Sequence, residues 1–301
     1  MERRRFIAGA LTSTLVTSAG GQSPAAADSP QHEDWARRRA EMERTILESF
    51  PYPIVRVPGT EAFETWERLR RAPGVPVALG GEEDFLSVAE SVYFAKQAGK
   101  SPASILEEAA RFTFPDDFRA RLRREEVAFQ EQLRTDPNTQ RFVDSLSSAG
   151  ISVTSEPSRG PWPKRPPADP GFTIADQLTL SNTGATAQPH SEVIIATLPT
   201  QDWTEAFAYL AFGGWNSCPH PHEQIAAFRY WSARHELILA GLSGDVLNLR
   251  VSHPPRTRDG ALDLAREQYE FCQDIVDQGV ETLDALAAGL MANDWWYFWW
   301  D

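Results

Sequence analysis

The chain has 301 residues, 42% of them hydrophobic, enough for one large domain or two smaller ones with buried cores. A formal charge of −13 argues against nucleic-acid binding, because a phosphate backbone is met by a basic face. No apolar run approaches the roughly eighteen residues of a membrane span, so the mature chain is expected to carry none.

The first residues read as a removable export address. Arg3-Arg4-Arg5 precedes Phe6-Ile7 and an uncharged, mildly apolar stretch from Ala8 to Ala19. Ala25 and Ala27 supply small side chains at the two positions a signal peptidase reads, which predicts cleavage before Asp28. The Arg3-Arg4 pair with Phe6 close behind resembles a twin-arginine signal over residues 1–27, and the weakness of the apolar stretch suits that route. The expected location is therefore outside the cytoplasm. The alternative is a cytoplasmic protein with a basic, disordered start.

A helix-rich region is predicted over 28–154. Trp35, Met42, Ile46 and Leu47 fall near helical spacing, and Pro51-Tyr52-Pro53 stops that helix. Ile54–Val57 and Val75–Leu79 read as short strands. Helices follow over 84–98, 102–112 and 116–134, the second opened by Ser101 as N-cap with Pro102 behind it. Six prolines between Ser155 and Gly171 make that stretch extended, and residues 155–190 read as a proline-rich, polar linker with an exposed loop at 181–191.

Residues 191–301 are more regular. Val193–Ala196 is a buried-type strand, Trp203–Phe212 a short helix-like piece, and 222–234 a helix. Leu237–Leu242 and Val246–Val251 form an antiparallel hairpin around Ser243-Gly244-Asp245. Thr257 caps a long helix with Ala261, Leu264, Ala265, Cys272, Ile275 and Val276 on one face, closed by Gly279. Thr282 caps a last helix to about Met291. Four of the ten tryptophans then fall in Trp295–Asp301, a run too aromatic to lie in solvent and predicted as a strand inside the sheet or beneath helices. The class is α+β, a mixed or antiparallel sheet covered by helices.

Phe212-Gly213-Gly214-Trp215-Asn216-Ser217-Cys218-Pro219, Arg229-Tyr230-Trp231, Ala265 to Gly279 and Trp296 to Asp301 together resemble the bacterial family catalogued as domain of unknown function 4253. The resemblance covers about 190–301 and implies kinship without a mechanism, since that family's activity is uncharacterised. Gln224 stands where the family pattern favours histidine and Asn248 where it favours an acidic residue.

Chemistry is sparse. Cys218, His220 and His222 alternate and with Cys272 number four zinc-type ligands, but the spacing matches no zinc pattern, so no metal is expected. Outside the cytoplasm a Cys218–Cys272 disulfide is allowed; buried free thiols are the alternative. Glu267, Gln268, Asp274, Asp277 and Gln278 share one predicted helix, with Gln268 placing an amide where the core pattern asks for carbon. These groups form either a small polar site or structural bonds to neighbouring backbone. Trp215 and Asn216 offer a binding surface or a plug beneath a turn, and Asp301 is expected to pair with Arg229 or Arg250. No phosphate loop, metalloprotease motif or serine elbow is present, and no cofactor is expected. The leading expectation is a binding module for an unidentified protein or small ligand. Its rival is a hydrolase-like enzyme using Glu267, Asp274 or Asp277 with Cys218 or a histidine.

Overall fold

The computed structural model describes residues 30–148, 157–181 and 184–301, so the predicted signal segment lies outside the described residues. Helix α1 (Pro30–Glu48) ends before Pro51-Tyr52-Pro53 and leads to β1 (Ile54–Val57), α2 (Gly59–Leu69) and β2 (Val75–Ala78). Helices α3 (Glu82–Gln97), α4 (Pro102–Ala110), α5 (Asp116–Thr135) and α6 (Pro137–Ser148) follow. Ser101 caps α4 as its composition requires, its hydroxyl accepting from Ser104 N at 3.1 Å. Two of these helices, α2 and α6, were not expected. Each is short and shows a narrow apolar stripe, and α2 buries only Gly59, Ala62, Thr65 and Trp66.

The second half holds β3 (Asp176–Ser181), β4 (Gly184–Pro189), β5 (Val193–Leu198), α7 (Ala206–Tyr209), α8 (Pro221–His235), β6 (Leu237–Leu242), β7 (Val246–Val251), α9 (Arg258–Phe271), α10 (Leu283–Ala292) and β8 (Trp295–Trp299). Two expectations need correction. The polar stretch 181–191 is largely β4, paired with β3 in a separate two-stranded sheet. The long helix predicted to Gly279 breaks at Cys272, whose backbone is extended, and resumes as a π-helical segment, Ile275–Val280.

The main sheet has the order β1-β5-β2-β6-β7-β8, antiparallel throughout except for the parallel β2–β6 pair. Strand β2, from the helix-rich half, sits between β5 and β6, so both halves of the chain build one sheet. Alternation along the strands divides its side chains between two cores. Val77, Ile194, Ala196, Leu239, Leu249, Trp296 and Phe298 enter the larger one with α3, α4, α8 and α9. Ala78, Val193, Ile195 and Ala240 enter a thinner one beneath Ala62 and Trp66 of α2. A register shift between Leu239 and Gly241 brings Gly241 against Ile174, where a Cβ would stand 2.6 Å from that side chain.

The proline-rich stretch is a strap laid across α10. Arg159 Nε and Nη2 donate to the Asp284 carboxylate at 2.7 and 2.9 Å, and Gly160 N donates to it at 3.0 Å. That fork and the start of the helix together pull the Asp284 carboxyl down to about 2, the Arg159 bonds contributing most. Further along, Asn293 Nδ2 donates to Pro167 O at 3.3 Å and Asp294 N to Asp169 Oδ2 at 3.2 Å. Proline suits this role because an extended segment without N–H donors needs no ladder partner.

Strand β8 belongs to the main sheet and lies beneath α8 and α9 as expected, but it pairs with β7 alone and so forms the sheet's edge. Its exposed side is nevertheless tied down. Cys272 Sγ donates to Trp299 O at 3.0 Å and Asp301 N donates to Asp274 Oδ2 at 3.1 Å, so side chains of the α9–π-helix junction satisfy groups that a bare edge would offer to another chain.

Candidate functional site

Where the strap, the π-helical segment, α10 and β8 meet, they line a half-open cavity of about 190 Å³. Its walls are chiefly apolar: Pro167 and Pro170 from the strap, Ile275 and Val280 from the π-helical segment, Leu286 and Leu290 from α10, and Trp295, Trp296 and Tyr297 from β8. Gln268 and Asp274 also line it. Extending the helix as a regular α-helix through 272–280 would move this wall, and π-helical turns recur at functional sites.

Two of the polar groups in the walls are unsatisfied. Gln268 and Trp296 are each 1% exposed, and neither Gln268 Nε2 nor Trp296 Nε1 has a hydrogen-bond partner. A buried donor left without an acceptor costs about 1–3 kcal/mol, and Thr173 Oγ1, Gln224 Oε1, Asn248 Oδ1 and Trp300 Nε1 are buried and unpartnered in the same way. Asp274 bounds the same space. Burial pushes its carboxyl up, against hydrogen bonds from Asp301 N and Gln278 Nε2 that pull it down, while the nearby Asp301 charge adds to the rise.

A wider, more open cleft of about 810 Å³ shares Pro170, Tyr297 and Trp299 with the cavity. It lies beyond the carboxyl ends of the parallel strands β2 and β6, where α/β crevices form. Gly81, Asp84, His190, Ser243 and Asp245 line it. Asp84 Oδ2 accepts from Gly81 N at 3.0 Å and stands 3.8 Å from His190 Nε2. Burial raises its carboxyl, opposed by the Gly81 bond and the His190 charge. Asp245 Oδ2 accepts from Trp299 Nε1 at 3.0 Å, which fixes the indole across the mouth, and burial pushes the Tyr297 hydroxyl up to about 12. Sequence reasoning missed Asp84, His190 and Asp245. They come from three segments that only the sheet order brings together.

The residues singled out from sequence separate into distinct settings. Glu267 accepts from Tyr230 Oη at 3.0 Å and from Trp231 Nε1 at 2.9 Å, locking α9 to α8. Asp277 accepts from Tyr269 Oη at 3.1 Å. Gln278 is spent on Asp274 at 3.1 Å. These carboxylates thus have different partners in different places, and the structure does not gather them with Cys218 into one acid–base set. Trp215, Asn216, Asp274 and Asp301 do come together: Asn216 Nδ2 donates to Asp301 O at 3.1 Å, and Trp215 packs edge-on to Trp300 at 6.3 Å. Gly213 makes this turn possible, with φ of 108° and no room for a Cβ, which would meet Pro219 O at 2.1 Å.

Arginine pairing of Asp301 is corrected. Arg229 binds Asp202 at 3.0 Å, and Arg250 binds Glu67 at 3.0 Å. Both cysteines are buried, free thiols rather than a disulfide. Burial raises both, so neither supplies a thiolate nucleophile near neutral pH. The His220 and His222 rings stack at 5.8 Å, and among the described residues no cluster of three or more His, Cys, Asp or Glu is arranged to hold a metal ion. Gln224 and Asn248 are fully buried and structural: Gln224 Nε2 donates to Phe212 O and Pro219 O, and Asn248 Nδ2 to Gly171 O at 2.9 Å.

Fold and site together define an α+β protein with a small, mostly apolar cavity beneath an aromatic edge strand. Residues 194–301 match the family model described as Domain of unknown function (DUF4253). The match begins within β5, so β1 and β2 lie outside it although β2 completes the sheet inside it. No curated protein and no solved structure matches the chain. Among the described residues no helix is long and apolar enough to cross a membrane.

Proposed function

We propose that the protein is a non-catalytic ligand-binding module and that the cavity beneath the strap is its site. The observation that carries this reading is the pocket itself, small and mostly apolar, with Gln268 and Asp274 as the polar residues of its wall. A small-fragment screen by saturation-transfer NMR on the full chain tests the reading. Fragments should bind, and Leu286→Trp, which fills the cavity from α10, should abolish that binding. Binding that survives Leu286→Trp, or a screen without hits, would overturn the proposal.

The reading includes export. Arg3-Arg4, the uncharged stretch behind Phe6, and the Ala25/Ala27 pair support a removable twin-arginine leader. Mature protein isolated outside the cytoplasm should begin at Asp28, and replacing Arg3 and Arg4 with Lys should retain it inside. Unchanged localisation of that variant would defeat the claim.

A further inference from the structure

We propose that the half-open cleft beyond β2 and β6 binds a linear aliphatic polyamine, its ammonium groups held by carboxylates set along the walls. The site is separate from the cavity beneath the strap and does not rest on the reading of that cavity. Charge is the first observation. Glu82, Glu83 and Asp84 from the first turn of α3, Asp176 from β3 and Asp245 from the β6–β7 turn line the cleft, and no Lys or Arg does. The acids of α3 have a local reason to be there, since they meet the positive end of that helix and Asp84 accepts from Gly81 N. Asp176 and Asp245 belong to other segments and have no such reason. The charges act on one another: the Asp84 carboxyl is raised by burial first, and further by Asp245 and Glu83.

Ser243 is the second, independent observation. It is 4% exposed, it lines the cleft, and its hydroxyl has no hydrogen-bond partner among the described residues. Unlike Thr173 Oγ1, which is sealed, that hydroxyl keeps accessible surface, and it can accept from an N–H donor as the carboxylates do. Shape then decides which cation. A metal ion asks for several oxygens around one point, and among the described residues no cluster of three or more His, Cys, Asp or Glu is arranged to hold one. The carboxylates are instead spread over a cleft of about 810 Å³, room for a chain that carries separated charges. Pro170, Ile174 and Val246 line the same space and suit the methylene links between those charges. Tyr297 and Trp299 add aromatic walls, whose faces attract ammonium groups. Because Trp299 Nε1 donates to Asp245 Oδ2 at 3.0 Å, a ring and a carboxylate stand side by side there. An anion would meet several like charges and no partner.

The test is isothermal titration calorimetry on the full chain at about 0.15 M salt, where diffuse attraction to an acidic surface is screened. Spermidine should bind about tenfold more tightly than butylamine, which carries a single charge, and equimolar Mg²⁺ should not displace it. Glu83→Gln and Asp84→Asn should each weaken spermidine about threefold or more. Asp263→Asn, the same change of charge on an exposed side chain of α9, should leave it within about twofold. Glu83 is exposed, so Glu83→Gln decides the matter should Asp84→Asn fail to fold. Leu286→Trp should leave spermidine affinity unchanged, which separates this site from fragment binding beneath the strap. Equal weakening by Asp263→Asn would reveal diffuse attraction and overturn the site. Displacement by Mg²⁺ would overturn the argument from separated charges, and loss of spermidine binding in a folded Leu286→Trp variant would overturn the separation of the two sites. Tighter binding of the equally charged dilysine amide would overturn the class in favour of a basic peptide, and absence of spermidine binding would overturn the proposal outright.

Discussion

The two faces of strand β8 are made of the same kind of residue and have different settings. Phe298 stacks on Trp231 at 6.0 Å and on Trp300 at 6.1 Å, with Phe228 and Phe271 edge-on at 5.7 Å. The opposite face, Trp295, Tyr297 and Trp299, is only half-buried and forms walls of the cavity and the cleft. Trp296 belongs to the packed face, its ring in the large core edge-on to Trp231 at 6.1 Å, and the residue also borders the cavity. The difference shows how an aromatic run serves stability and recognition at once: alternate side chains are committed to packing, and those between them are kept accessible.

Breaking the packed face should have the largest effect. Phe298→Ala removes a fully buried ring and should cost about 3–5 kcal/mol, read by urea denaturation. A loss below about 1 kcal/mol would mean the ring stack is not the core it resembles.

Next comes the strap that covers the cavity. The Asp284 carboxyl, held near 2 in the folded protein against an ordinary 3.8, contributes stability that is present above 3.8 and lost as the pH falls through about 2. Arg159→Gln should flatten that part of the stability–pH profile and loosen the proline-rich segment. An unaltered profile between pH 4 and 2 would show that the Arg159–Asp284 fork does not hold the strap.

The accessible face should respond more weakly. Trp299→Phe deletes the donation to Asp245 and should cost about 1–2 kcal/mol, while Tyr297→Phe should stay within about 0.5 kcal/mol. The smallest change is the most informative. Gln268→Leu replaces a buried, unpartnered amide with carbon of similar shape, so thermal unfolding should show a Tm unchanged or raised. A Tm lowered by many degrees would mean that Gln268 Nε2 has a structural partner in solution.

Much of the fold is written locally. Thr257 and Thr282 cap their helices as expected, donated to by Gly260 N at 3.2 Å and Ala285 N at 3.1 Å, and the β6–β7 hairpin turns at Ser243-Gly244-Asp245. Caps and hairpins depend on residues a few positions apart, which periodicity and turn chemistry can read. The break at Cys272 was not legible, because its apolar face continues in register through Val276, while the contact of Cys272 Sγ with Trp299 O is made across the fold. The seat of the proline-rich stretch on α10 was not legible for a similar reason: proline content gives an extended conformation but does not say what lies beneath it.

The site divides along the same line. Gln268 was visible as an amide on an apolar face, and Asp274 as a carboxylate beside it, because both belong to one helical pattern. Their company in the cavity was not visible, nor was the gathering of Asp84, His190 and Asp245. By itself the sequence determined the acidic charge, the α+β class, most elements and their caps, and the need to bury an aromatic terminal strand. These follow from composition and from interactions a few residues long. Only the tertiary structure decided that β2 enters between β5 and β6, that β8 is an edge sealed by Cys272 and Asp274, and that Gln268 and Asp274 border one pocket with the strap. Those facts depend on which distant segments pack together, and side-chain pattern fixes what must be buried without fixing against what.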